Sequence, residues 1–200
     1  MIDKISKLKE QADALMKLKG NTKGSELLTL RKYVETKYGK EGIEKLEKAM
    51  AELGYPLIFD EIKPTYWYPE ALNDLAMIVA KEIFEWKDLF EFGYNSPVFS
   101  FGVKVLVRFL PLPLFLKEFP NVWRKFVDVG EIEIPDFSLE KKYVIVWLKD
   151  YKFHPDMCRY FEGFFLRVSE YFIKSEKVTI EETKCSFQGD PYHEFIVRWK

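Results

Sequence analysis

The hydrophobic period of this chain first changes near Gly130, and that change bounds its architecture. Before it, apolar residues recur at helical spacing. After it, "GEIEIPDF" alternates, and "KKYVIVWLKDY" is the continuous β-branched and aromatic run of a central strand. "HPDMCRYFEGFFLRVSEYF" returns to helical spacing, with Met157, Phe161, Phe164, Phe165, Val168 and Phe172 on one side. Two more strands, "KVTIEETKCSF" and "HEFIVRW", are joined by "QGDPY". This predicts an α+β fold: a helical N-terminal half packed on an antiparallel sheet of β-β-α-β-β order.

The helical half begins with an amphipathic stretch over 2–19, with Ile2, Ile5, Leu8, Ala12, Leu15 and Met16 on one stripe. "GNTKG" closes it, so residues 1–20 read as a separate helix, either packing on the body or forming a homodimer. Residues 21–200 then make a single α+β ligand-binding domain. Ser25 is placed to cap a second helix that stops at Gly39, and "KEGIEKLEKAMAEL" makes a third, stopped by Gly54. Pro69 opens another helix. Ser96 and Pro97 predict the start of a helix over 97–110 whose only polar stripe is Ser100, Lys104 and Arg108. Such a helix should be nearly enclosed by protein.

Composition narrows the function. With 48% hydrophobic and 17% aromatic residues, the chain can bury a large core, and a net charge of −1 argues against nucleic acid as the main partner. "MIDKISKLKE" carries charges where a secretory signal needs an apolar run. The most apolar stretch, "VFSFGVKVLVRFLPLPLFL", contains Lys104, Arg108 and two prolines, so no membrane span is expected. With two cysteines and no secretory signal, the reading is a reducing, cytoplasmic compartment.

The residues now set out carry a resemblance. "CRYFEGFFLRVSEYF" is similar to the Cys-x-x-x-x-Gly helix of 4-vinyl reductase domains, and "CSFQGDPYHEFIVRW" to their Cys-x-x-x-Gly-Asp-Pro strand pair. The superfamily also includes haem-nitric-oxide-binding domains and subunits of vesicle-tethering complexes, and the helical half resembles its bacterial members. The resemblance implies an α+β ligand-binding fold over all but about the first twenty residues. Two departures stand out. His193 lies near the point where many 4-vinyl reductase domains carry a second Cys. The haem-binding members use a histidine on a helix of the helical half and a Tyr-x-Ser-x-Arg signature, whereas this chain has no histidine before His154. Histidine-ligated haem is therefore not expected.

Two groups of residues carry candidate chemistry. Cys185 and His193 stand equidistant from Gly189, so a hairpin would face them across strands with Cβ atoms about 5 Å apart. His154 and Cys158, four apart, would face the same way on a helix. The four together would suit zinc; buried free thiols filling the core are the plainer reading of the same residues. The second group is the aromatic accumulation from Phe84 to Phe126. It is either ordinary packing or a pocket for a small hydrophobic molecule, lying between the enclosed helix and the sheet. That pocket would be lined by Phe99, Phe101, Val105, Phe109, Phe115 and Trp123, with Lys104 or Arg108 near its mouth.

No nucleophile motif surrounds either Cys, and no Gly-rich phosphate loop is present. The sequence therefore reads as a non-enzymatic sensor or carrier with no assigned catalytic residue. The alternatives are a metal- or Cys-dependent enzyme using Cys158, Cys185 and His193, or a ligand-free assembly subunit.

Overall fold

The computed structural model describes residues 2–99 and 110–200. The helical half comprises α1 (Ile2–Leu15), α2 (Gly24–Glu52), α3 (Glu70–Ile83), α4 (Phe90–Phe99) and α5 (Leu112–Phe126). A small pair, β1 (Asn21–Lys23) and β2 (Trp67–Pro69), ties the starts of α2 and α3 together. The second half is β3 (Glu131–Ser138), β4 (Tyr143–Lys149), α6 (Asp156–Phe172), β5 (Val178–Lys184) and β6 (His193–Trp199). The strands form one antiparallel sheet in the order β3-β4-β6-β5. The α+β expectation and the β-β-α-β-β order along the chain are observed.

Alternation decides what each strand buries. Val144, Val146 and Leu148 of β4 face Val197, Phe195 and His193 of β6, all buried, and α6 covers that face with Met157, Phe161, Phe165 and Val168. The two halves are stitched at residue 21, where the Asn21 backbone and side chain both donate to the Asp128 carboxylate, at 2.5 and 2.8 Å. Helix α1 spends Ala12 and Leu15 on the chain's own core.

Three helix boundaries differ from expectation. Gly39 does not end a helix; it kinks α2 through a left-handed φ of 67°, and the chain resumes helix beyond it. Ser25 is not a cap but lies in the first turn of α2, its hydroxyl donating to the Glu26 carboxylate. Pro97 lies inside α4 rather than opening a helix, and Ser96 returns its hydroxyl to the Gly93 carbonyl. Most of the predicted 97–110 helix, from residue 100 to 109, lies outside the described residues.

Helices α4 and α6 make the tightest crossing. A Cβ on Gly163 would sit 2.2 Å from the Phe90 carbonyl oxygen, and one on Gly93 would sit 2.0 Å from that of Tyr160. These are backbone atoms, which cannot swing away. Gly163→Ala should therefore destabilise the protein by about 1–3 kcal/mol, read as a lower urea midpoint at unchanged m.

Candidate functional site

Two features meet on α6: a cluster of metal-type donors and a partly open cavity. Cys158 on α6, Glu182 on β5, Cys185 just after β5 and His193 at the start of β6 place one donor atom each within 4.8 Å of one another. The Cys158 and Cys185 sulfurs are 3.6 Å apart, and Cys158 Sγ lies 3.8 Å from His193 Nδ1. Tetrahedral ligation at ordinary Zn–S and Zn–N lengths separates two sulfurs by about 3.8 Å and sulfur from nitrogen by about 3.5 Å. His193 Nδ1 and Glu182 Oε1 are closer, at 2.8 Å, a hydrogen-bonding distance that would open on joint ligation.

Local backbone geometry builds this cluster. Gly189 takes a left-handed φ of 102°, closing the short 3-10 turn Ser186–Gln188, and Asp190 accepts the Cys185 N–H at 2.8 Å. A β-bulge between Glu182 and Lys184 shifts the register of β5 against β6. Residues three apart on a regular strand face opposite sides; the bulge brings Glu182 and Cys185 to the same one.

The His193 tautomer follows from its partners. Its Nε2 lies 3.0 Å from the Tyr151 carbonyl, an acceptor only, so Nε2 carries a proton. Nδ1 then lies 2.8 Å from Glu182 Oε1 and 3.8 Å from Cys158 Sγ, where it either donates a proton to the carboxylate or offers its lone pair to a metal. Such a gathering of lone pairs calls for a proton or a metal ion, and a carbonyl holding the far ring nitrogen is the usual support of a metal-bound imidazole. Without a metal, burial and the nearby Glu182 charge push the Cys158 thiol well above its ordinary range.

His154 does not join the cluster. It precedes α6, so helical spacing does not align it with Cys158, and its Nδ1 accepts the Asp156 N–H at 3.2 Å. Glu182 occupies the fourth place, and sequence reasoning missed it because plain alternation sends it to the other face from Cys185.

The cavity, of about 70 Å³, lies between α2, α3, α5 and α6. Phe119, Trp123, Phe126, Tyr160, Phe161 and Phe164 supply its aromatic wall, and Glu26, Glu70, Asn73 and Thr22 its polar side. It is a different place from the pocket expected between the 97–110 helix and the sheet: no residue of the four-stranded sheet lines it, and most of that helix lies outside the described residues. Of the proposed pocket residues, Trp123 is on the wall. Phe115 is buried elsewhere, its ring tilted against Phe172 at 4.3 Å, and Phe99 packs half-buried against the core. Phe101, Lys104, Val105, Arg108 and Phe109 lie outside the described residues.

Glu70 is the unexpected member. Its carboxylate is buried; Oε1 accepts the Tyr151 hydroxyl at 2.7 Å, while Oε2 has no hydrogen-bond partner. The same hydroxyl lies 3.0 Å from both oxygens of the buried Asp74, and one proton cannot serve both acids. Burial accordingly pushes the Glu70 carboxyl up to about 7, and burial together with the Glu70 charge raises Asp74. The signal was legible in "PEALNDLAM", where Glu70, Asn73, Asp74 and Met77 share one helical stripe among apolar neighbours.

A stability consequence follows. An acid held protonated by the fold, with its folded pKa raised, stabilises it below the unfolded value and loses that stabilisation as pH rises toward 7. Glu70→Gln, which cannot ionise, should gain melting temperature relative to wild type between pH 5 and 8. A difference between the two that stays flat with pH would contradict a protonated Glu70.

Together these features define an α+β domain with an acid-sided, partly open cavity beside a thiol–imidazole cluster. Among solved structures the fold is that of the H-NOX proteins. An H-NOX protein from S. oneidensis in its Fe(II)NO ligation state superposes with a TM-score of 0.65 at 12% identity, over 89% of this chain and 99% of that one. An oxygen-binding H-NOX domain related to soluble guanylate cyclases, in its oxygen complex, gives 0.62 at 15% identity over 88% and 92%. A structure described as probing heme distortion in the H-NOX family gives 0.59 at 16% over 89% and 95%. No protein-family model matches the chain. No curated protein matches it either.

These neighbours correct one expectation. Setting histidine-ligated haem aside because no histidine precedes His154 was too narrow, since the fold proves to be one whose solved members are described with Fe(II), NO, oxygen and heme. The cavity lining described here holds no imidazole, and residues 100–109 contain none. The two imidazoles of the chain lie in the thiol cluster and at the start of α6. No helix among the described residues is long and apolar enough to cross a membrane.

Proposed function

We propose that this chain is a regulatory ligand-sensing domain, with its ligand in the cavity and zinc on Cys158, Glu182, Cys185 and His193. The observation that carries this reading is the double use of α6. Cys158 sits in the donor cluster, while its neighbours Met157, Tyr160, Phe161 and Phe164 line the cavity. Tyr151 makes a second link: its carbonyl holds His193 and its hydroxyl reaches Glu70. Zinc would then fasten the β5–β6 connection to the helix that feels the ligand. Only a ligand with different affinities for two packings of α6 can shift their populations. The buried, unlinked thiols support a reducing, cytoplasmic setting. Elemental analysis of the purified protein tests the metal: about one zinc per chain, lost in Cys158→Ser and kept in His154→Ala, is the expected result.

The neighbours favour a second reading, in which the ligand is a gas held on haem iron, as their Fe(II)NO and oxygen-bound states describe for them. A Soret band in protein made with haem supplied, and abolished in His154→Ala or His193→Ala, would select it.

A further inference from the structure

We propose that the cavity is a receptor for a small alkylammonium ion, whose N–H is accepted by Glu70 and whose charge lies against the aromatic wall. This deepens the reading of the cavity as the ligand site and rests on it. Three independent features select the class. Glu70 Oε2 is a buried acceptor with no partner, on the residue that forms the polar side of the cavity. The cavity is also lined by Phe119, Trp123, Phe126, Tyr160 and Phe161, and aromatic π faces attract cations within about 6 Å. The acids facing Glu70 are Glu26 on α2 and Asp74 on its own helix, with Asp128 beyond α5; the hydroxyls are Tyr151, Tyr160 and Thr22, with the Asn73 amide beside them, and no Lys or Arg is among the described lining residues.

Other classes fit worse. An anion would meet Glu26 and Glu70, and a purely apolar molecule would leave the polar side formed by Glu26, Glu70, Asn73 and Thr22 unmatched. A divalent metal needs several converging oxygens, and these carboxylates do not gather as the Cys158 cluster does. The volume, about 70 Å³, admits an amine of a few non-hydrogen atoms, between the share of one water and the roughly 150 Å³ that holds benzene. Because Glu70 must ionise to pair with the cation, binding should release a proton below neutral pH and tighten as pH rises.

Titration calorimetry with ethylammonium, using 1-propanol as the neutral analogue of similar size, tests this. Ethylammonium should bind at pH 8 and more weakly at pH 6, with proton release at pH 6 seen as a buffer-dependent heat. Glu70→Gln should bind it roughly ten- to a hundredfold more weakly, its fold checked by circular dichroism. Glu26→Gln, at the half-buried side, gives a second readout and should weaken binding less. Lys104→Gln and Arg108→Gln should bind as wild type; ethylammonium binding that appears only in one of these would mean that Glu70 already pairs with the chain's own cation, overturning the proposal. Equal binding of 1-propanol and ethylammonium would overturn the cation class while leaving the cavity as a ligand site. Binding of neither, at any pH, would overturn both.

Discussion

Removing bound zinc with a chelator should lower the melting temperature by about 5–11 °C. At free metal a hundredfold above Kd, binding contributes about 2.7 kcal/mol, and a chain of this size moves about 2–4 °C per kcal/mol. The effect is this large because the metal would link α6 to β5, the turn after it and β6, which besides packing share with α6 the Glu182 N–H bond to the Glu162 carboxylate at 3.3 Å. Glu182→Gln should retain zinc more weakly than wild type, and His154→Ala should be indistinguishable from it, because His154 is occupied with the Asp156 N–H. Chelation that leaves the melting curve unmoved, with zinc-free protein fully folded, would reduce the cluster to buried thiols.

Phe195→Ala should cost about 3–5 kcal/mol, the largest loss expected from a single side chain away from the cluster. Phe195 is fully buried on β6, paired with Val146 of β4, and its ring meets Phe165 of α6 at 5.2 Å. Its loss opens a void between the sheet and α6 that rigid strand pairing cannot collapse. Chemical denaturation checks the value. A loss below about 1 kcal/mol would mean that the interface repacks freely.

The sheet was legible because strand alternation is local. "KKYVIVWLKDY" announced a strand paired on both sides, and β4 lies between β3 and β6. The helical stripe of α6 was equally plain, since Met157, Phe161, Phe165 and Val168 follow the 3.6-residue period that buries them. Boundaries were less legible: a Gly in the left-handed region can end a helix or kink it, and Gly39 kinks α2 because helix-forming residues continue beyond it. Pro97 misled for a related reason. Proline favours a first turn, yet it is tolerated within α4, where the chain already turns helically from Phe90.

The candidate site divides along the same line. The sequence by itself determined that Cys185 and His193 stand either side of a Gly-Asp-Pro turn, because turn residues and alternation act within a few positions of each other. It also determined that acids interrupt the apolar face of α3. Only the tertiary structure decided that Glu182, rather than His154, completes the cluster, since that choice depends on a one-residue bulge and on where α6 crosses the sheet. The tertiary structure likewise decided that Glu70 faces aromatic rings from α5 and α6, more than forty residues away along the chain. Contacts of that kind are set by how whole helices pack, and the packing of α4 on α6 turns on Gly93 and Gly163 offering backbone where any other residue would offer a side chain.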